Sequence, residues 1–341
     1  MRLPLLAALA LATVACGSTN PQTGTGGSSG TGGNGSTSSS SGSGGAGGSI
    51  APVIDPALFD CTATKPPVRV NPIPVSCATD TACTTKLVSG HRGAGGELGV
   101  IAPEDSVAAV RAAIVLGLDF VETDPRPTKD GVIVNLHDPT VDRTTDGTGS
   151  VDALTYAEIQ ELHLRSPDTP GDFSCEHVPT LEEILTAARG KVHVLVDANK
   201  TDQVDLLVAA IQKTDTLDWA IFDTSSVDKI DAALAIEPKL HTMIRVTGTG
   251  DLDMQLAHFA AHPPVIVEIE KGTDAKVLAA AIHAAQNRAL IDAFLSDVGA
   301  GISSDPSVYD EILATGVDML QSDRPDLVLR NLGRWPPPPQ P

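Results

Sequence analysis

Between residues 91 and 138 the chain places His91-Arg92, Glu122-x-Asp124 and His137-Asp138, each following or ending a short apolar run of the kind that makes a buried parallel strand. Glu122 and Asp124 are two positions apart, so on a strand both side chains leave the same face. Two carboxylates that close repel unless a proton or a cation lies between them, and hard oxygen ligands favour calcium or magnesium. Imidazoles titrate near neutrality, which suits His91 and His137 to acid and base work. The planar fork of Arg92 suits a phosphate. Between Asp124 and His137 lies TKDG (128–131), whose Asp-Gly pair signals a hairpin that folds His137 back toward Glu122.

These residues resemble the glycerophosphodiester phosphodiesterase family, whose opening pattern is His-Arg-Gly, Pro-Glu-Asn-Thr, Glu-x-Asp, Thr-Lys-Asp-Gly, then His-Asp followed by Arg-Thr-Thr and a glycine. Here the order is HRG (91–93), PEDS (103–106), ETD (122–124), TKDG (128–131), HD (137–138) and RTTDGTG from Arg143. It resumes at VPTLEEIL (178–185) and GVDMLQSDRPDL (316–327), so it covers nearly everything after residue 87. The resemblance implies hydrolysis of a glycerophosphodiester to glycerol 3-phosphate and an alcohol, with the neighbouring glycerol hydroxyl a candidate nucleophile. It implies Ca2+ or Mg2+ on Glu122 and Asp124, Arg92 at the phosphate, and His91 and His137 sharing acid and base work in an order the sequence does not assign. It also makes Glu104 a supporting site residue, where the residues alone equally allow a carboxylate favourable to a helix N-terminus.

Two segments depart from the family pattern. PEDS replaces the usual Asn-Thr, and the Glu-x-Lys expected at the end of the third strand is replaced by Val196-Asp197-Ala198-Asn199-Lys200. With strand parity kept, Asp197 takes the acidic place and Asn199 the lysine's; with a bulge, Asp197 and Lys200 both face inward. Asp197 is inward either way and is the expected third metal ligand, whereas Lys200 reaches the phosphate only through the bulge.

The positioning elements follow from hydrophobic pattern. Eight strand-like runs stand at 85–90, 118–124, 192–199, 219–224, 241–246, 264–270, 288–294 and 317–323, most of them separated by Ala/Leu-rich helical segments such as SVAAVRAAIVLG and DAKVLAAAIHAAQN. VIVNLHD follows the second strand too closely for a parallel crossover, so it belongs to an excursion at about 125–180. The class is α/β, a (β/α)8 TIM barrel with a small insertion after the second barrel strand, and its site should lie at the C-terminal strand ends, where His91, Glu122, Asp124, Asp197, Asp223 and Asp323 fall. Arg143 is expected to pair with Asp142 or Asp146 on a loop, and His163, His177, His193, His241, His262 and His283 are expected to be surface or packing residues.

Outside the barrel (87–333) the organisation reads in order. Residues 1–16 form an export signal that resembles a bacterial lipoprotein signal ending in a lipidated Cys16, which predicts an exported protein attached to the membrane surface of the cell envelope. Residues 17–49 are a Gly/Ser-rich tether with a reach of roughly 30 Å. A Pro/Cys-rich extension spans 50–86, and a Pro-rich tail spans 334–341. Cys61, Cys77, Cys83 and Cys175 predict two disulfides, with three connectivities open. Of 341 residues, 43 are Asp or Glu against 23 Lys or Arg, a formal charge of −20 that disfavours nucleic acid and anionic membranes; no protein partner is inferred. Three other functions compete with hydrolysis of glycerophosphodiesters. One is a lipid phosphodiesterase of lysophospholipase D or sphingomyelinase D type, disfavoured by the 3% aromatic content. Another is a tethered glycerophosphodiester-binding protein that has lost turnover, suggested by the altered Lys200 region. The last is a structural envelope protein, for which the metal and histidine pattern would have no use.

Overall fold

The computed structural model describes residues 54–166, 169–270 and 272–341. The export signal, Cys16, the 17–49 tether and the first residues of the extension lie outside the described residues. Eight short strands form a closed parallel barrel: β1 (Leu87–Gly90), β2 (Phe120–Thr123), β5 (His193–Asp197), β6 (Ala220–Asp223), β7 (His241–Val246), β8 (Ile266–Ile269), β9 (Ala289–Asp292) and β10 (Met319–Ser322). β10 closes the barrel by pairing with β1, Leu87 opposite Met319. Each expected strand is present. The ninth candidate is the second arm of an antiparallel hairpin, β3 (Pro125–Pro127) with β4 (Ile133–Asn135), outside the barrel.

Each barrel strand contributes one apolar side chain to the interior: Leu87, Phe120, Leu195, Ile221, Met243, Ile266, Leu290 and Met319 are all buried and packed together. Strand period then places the residue two positions further along each strand on the same inner side, nearer the C-terminal mouth. Those residues are Ser89, Glu122, Asp197, Asp223, Arg245, Glu268, Asp292 and Gln321, all polar. A dry plug thus sits directly beneath a polar ring.

The connecting segments have local reasons for their boundaries. The helix Val107–Leu116 starts where the Ser106 hydroxyl accepts from Ala109 N–H and stops at Gly117, whose φ of 72° closes the last turn. The excursion returns at Thr180, where a Thr180–Glu183 capping box opens the helix Leu181–Ala188. The excursion packs its own small core, including Val134, Val141, Ile159 and Val178.

The extension and the tail seal the opposite end of the barrel. Cys77 and Ala78 pack against the interior plug, and the buried Arg288 guanidinium donates to the carbonyls of Cys77 and Thr85. Buried Asp119, just before β2, gathers Arg69 and Asn71 from the extension, Arg334 from the tail and the Val88 N–H of β1. The tail residue Gln340 exchanges two hydrogen bonds with the Val68 backbone. The four cysteines pair as Cys61–Cys175, which fastens the extension to the excursion, and Cys77–Cys83.

These bridges span 114 and 6 residues of sequence. Loop-closure entropy rises with the logarithm of span, so replacing Cys61 and Cys175 by Ala should lower the unfolding free energy by about 2.6 kcal/mol more than replacing Cys77 and Cys83. Urea unfolding of the two double variants measures this, and equal losses would contradict the entropic account.

Candidate metal and acid–base site

Glu122 at the end of β2, Asp124 two residues on and Asp197 at the end of β5 converge from adjacent strands, as same-side strand geometry requires. One carboxylate oxygen from each lies within 4.8 Å of the others, and all three residues are buried. That spread is about twice the 2.3–2.6 Å calcium–oxygen distance, so one divalent ion can contact all three. The residues fit such an ion in two further ways. Asp124 Oδ2 is buried and accepts no hydrogen bond. Burial and the neighbouring Asp124 and Asp197 charges push the Glu122 carboxyl well above its ordinary range, a repulsion that a cation among the three carboxylates would relieve.

Lys200 resolves the ambiguity at the end of β5, and by neither expected route. The strand stops at Asp197 and the chain turns through a single 3-10 turn, Ala198–Lys200, with Asp197 accepting from the Asn199 N–H at 2.7 Å. Side chains three apart eclipse in such a turn, so Asp197 and Lys200 share a side without a bulge. Lys200 Nζ lies 2.6 Å from Asp124 Oδ1 and 3.7 Å from Asp197 Oδ2. Burial works to raise the Asp124 carboxyl, but the Lys200 charge brings it below its usual range. Asn199 turns away and accepts from Thr224 and Ser225. The departure that suggested a non-catalytic binding protein therefore still delivers a lysine to the site.

Both histidines are oriented by a carboxylate. His91 Nδ1 is 2.6 Å from Asp323 Oδ1, and its Nε2 is 3.8 Å from Glu122 Oε2. His137 Nδ1 is 2.9 Å from Asp138 Oδ1, while its backbone N–H donates to Asp105 Oδ2. In each ring Nδ1 faces the carboxylate, so Nε2 is the nitrogen left for a further contact. The glycines of this region are there for room: a Cβ on Gly96 would lie 2.6 Å from Asp323 Oδ1 and 2.8 Å from His91 Nδ1, and Gly93 has φ of 100° with Ala109 Cβ 2.6 Å from its own would-be Cβ.

Arg92 is buried in a left-handed conformation, φ 49°, that turns its N–H onto Glu122 Oε2 at 3.0 Å. Its guanidinium donates to Glu104 and stands 3.6 Å from Asp124 Oδ2. Glu104 is thus a supporting residue, holding Arg92 on one side and Arg143 on the other. The expectation for Arg143 needs correction. It pairs with Glu104 and Asp138, not with Asp142 or Asp146, because the excursion folds its loop back over the helix-start segment. Arg143 hydrogen bonds hold Asp138 well below the usual carboxylate range. The PEDS departure also has a purpose: Asp105, φ 56°, accepts from Asn135 Nδ2 and the His137 N–H and so ties the hairpin to the barrel mouth.

Arg245 on β7 and Glu268 on β8 were missed in the sequence reading. Arg245 bridges Asp223 at 2.5 Å, Asp197 at 3.4 Å and Glu268 at 3.1 Å. Burial pushes Asp223 up to about 6 and Glu268 up to about 8 against the pull of Arg245. Strand parity could have found both, since each lies two residues beyond a plug residue, Met243 and Ile266. Of the histidines set aside, His193 is buried against Trp219 and Phe120, with burial lowering it to about 4, and His283 contacts Asp318 at 2.7 Å. The cavity enclosed by the catalytic candidates has a volume of about 420 Å3 and is lined by His91, Arg92, Glu122, Asp124, His137, Asp197 and Lys200 on one side.

Comparison with known proteins agrees with this fold. The model of the glycerophosphoryl diester phosphodiesterase family matches residues 91–327. The chain is 42% identical over 99 residues to the glycerophosphodiester phosphodiesterase of Caldanaerobacter subterraneus subsp. tengcongensis, covering 29% of this chain and 39% of that protein. It is 34% identical over 139 residues to mouse (Mus musculus) glycerophosphodiester phosphodiesterase 1, covering 40% of each. The chain thus spans less than half the length of these curated relatives. Among solved structures, the glycerophosphodiester phosphodiesterase of Agrobacterium tumefaciens superposes with a TM-score of 0.55 at 27% identity, covering 71% of this chain and 99% of that one. An Oleispira antarctica phosphodiesterase in complex with the product sn-glycerol-3-phosphate superposes at 0.60, covering 74% and 99% respectively, and at 20% identity bears on the fold alone. A family match that begins at His91, ends at Leu327 and takes in every strand from β2 to β10 establishes that this chain belongs to the glycerophosphoryl diester phosphodiesterase family.

Proposed function

We propose that this chain hydrolyses glycerophosphodiesters to glycerol 3-phosphate and an alcohol, using calcium or magnesium held by Glu122, Asp124 and Asp197. The observation that carries the reading is one cavity in which three buried carboxylates meet two histidines, each oriented by a carboxylate of its own. The family's name and the product held by the Oleispira antarctica relative support the substrate class.

A phosphodiester resists attack because its negative charge repels nucleophiles and its alkoxide is a poor leaving group. A divalent ion held by Glu122, Asp124 and Asp197 would supply Lewis-acid polarisation of the phosphate. Lys200 and Arg92 add positive charge beside it, already oriented by Asp124 and Glu104. One imidazole Nε2 takes the proton from the attacking oxygen, that of water or of the neighbouring glycerol hydroxyl, as the new P–O bond forms. The other gives a proton to the departing alcohol as the old P–O bond breaks. Asp323 and Asp138 keep the two rings in the required tautomer and stabilise the imidazolium. The same reading makes the protein exported and attached to the envelope through a lipidated Cys16, with the 17–49 segment as spacer.

Glu122→Gln, Asp124→Asn and Asp197→Asn should each weaken divalent-ion binding by tenfold or more in calorimetry and lower turnover, with partial rescue at high ion concentration. Unchanged affinity in any one removes that residue from the ligand set. His91→Ala and His137→Ala should each reduce kcat by about 10²-fold or more, and the double variant should lose less than the product because the pair acts as a unit; a near-normal rate in either single variant excludes it from the chemistry. Cys16→Ser should move the protein from the membrane fraction to the soluble one with kcat unchanged, and retention on membranes would discard the anchor.

A further inference from the structure

Two contacts that hold His91 come from consecutive residues at the end of β10. The His91 N–H donates to the Ser322 carbonyl at 3.1 Å, and the ring Nδ1 lies 2.6 Å from Asp323 Oδ1. Ser322 and Asp323 are in turn gathered by one carboxylate, that of Asp297 in the first turn of the helix Phe294–Ser303 that follows β9. Its Oδ1 accepts from the Ser322 and Tyr309 hydroxyls, each at 2.6 Å, and its Oδ2 accepts from the Asp323 N–H at 2.8 Å. Asp297 is fully buried and does not line the catalytic cavity, whereas Asp323 does.

A carboxylate in this place is costly, and burial pushes Asp297 up to about 6 against the pull of its three donors. Packing a helix turn against a strand end does not require an ion, since an apolar side chain of similar volume fills such a position without that cost. The donors are what require it. The Tyr309 and Ser322 hydroxyls can rotate to accept, but the Asp323 N–H can only donate, and an ionised carboxylate accepts at both oxygens. We propose that Asp297 is a positioning residue of the reaction, fixing the Ser322–Asp323 segment so that His91 presents Nε2 to the substrate. This rests on the phosphodiesterase reading above and adds to it the group that sets one of its two histidines.

The path from Asp297 to the ring is made of hydrogen bonds at every step. Asp297 takes the Asp323 N–H, and the Asp323 carboxylate meets His91 through Oδ1 while its Oδ2 accepts from the Leu98 N–H at 3.1 Å. A misplacement of about 1 Å that starts away from the reacting atoms can cost about 10²-fold in rate, so a carboxylate outside the cavity can govern a ring inside it. His137 is set separately, by Asp138 beside it in sequence and by Asp105 on its N–H. Asp297 therefore acts on one histidine and leaves the other alone.

The test joins kinetics to histidine spectra, both on the full chain. Asp297→Asn keeps the side-chain size but turns an amide NH2 toward one of the donors, and Tyr309→Phe keeps the ring and removes one donor. With saturating calcium or magnesium and glycerophosphocholine, glycerophosphoethanolamine or glycerophosphoglycerol as substrate, Asp297→Asn should lower kcat about tenfold, equivalent to about 1.4 kcal/mol, with KM within about twofold. In a His91→Ala background the same change should alter kcat by less than about twofold, because the ring it positions is gone. Tyr309→Phe should give a smaller loss with the same dependence on His91, and it carries the test if Asp297→Asn does not fold. In long-range 1H–15N spectra the His91 ring signals, identified by their absence from His91→Ala, should move in both variants while those of His137 stay. Equal losses with and without His91, a loss confined to KM, or unmoved His91 signals would overturn the positioning role. Wild-type turnover of none of the three diesters would overturn the phosphodiesterase reading instead, and the spectra would still decide whether Asp297 sets His91.

Discussion

Crowded negative charge at the mouth of the barrel governs the rest of this structure. Glu122, Asp124, Asp197, Asp223 and Glu268 are all nine-tenths buried or more and stand on or just beyond four of the eight barrel strands. Removing carboxylates from water and placing them side by side opposes ionisation twice, through desolvation and through mutual repulsion. Two cations answer this in the chain itself: Lys200 on Asp124, and Arg245 among Asp223, Asp197 and Glu268. Among the described residues Glu122 has no such cation, and with Asp124 and Asp197 it forms the cluster that could hold a divalent ion.

Such an arrangement stores unfavourable electrostatics that the rest of the molecule must offset. The interior plug does so by burying one apolar residue from every strand directly under the polar ring. The extension and tail complete the seal, through Cys77, Ala78 and Arg288 at the base and through the cluster on Asp119. A segment rich in Pro and Cys, with little regular structure, thus stiffens the end of the barrel opposite the chemistry. The Cys61–Cys175 bridge carries the same fastening to the excursion that holds His137.

The excursion itself turns a barrel into a site. β3 and β4 add no strand to the barrel, but their hairpin brings His137 to the cavity that His91 enters from β1. Glu104, Arg143, Asp138 and Asp105 then join the hairpin, the loop and the start of the first barrel helix into one hydrogen-bonded unit. The two histidines are therefore set by different means, one by the carboxylate of a distant strand end and the other by its own sequence neighbour.

The amino-acid sequence by itself determined the barrel, its eight strands, the hairpin and most of the site, because strand period is two and parallel strands all point their C-terminal ends one way. His91, Glu122, Asp124 and Asp197 were legible from local spacing for that reason. Arg245 and Glu268 obey the same period but belong to no short motif, so only the closed barrel brings them together. Lys200 turned on a 3-10 turn that parity cannot foresee, since the strand ends at Asp197, before the rule reaches Asn199. Arg143 found Glu104 across 39 residues of chain, the Asp323–His91 pair spans 232, and the cysteine pairing depends on where the extension folds. Tertiary structure alone decided these contacts, because long-range partners are chosen by where strands and loops meet in space and leave no periodic trace along the chain.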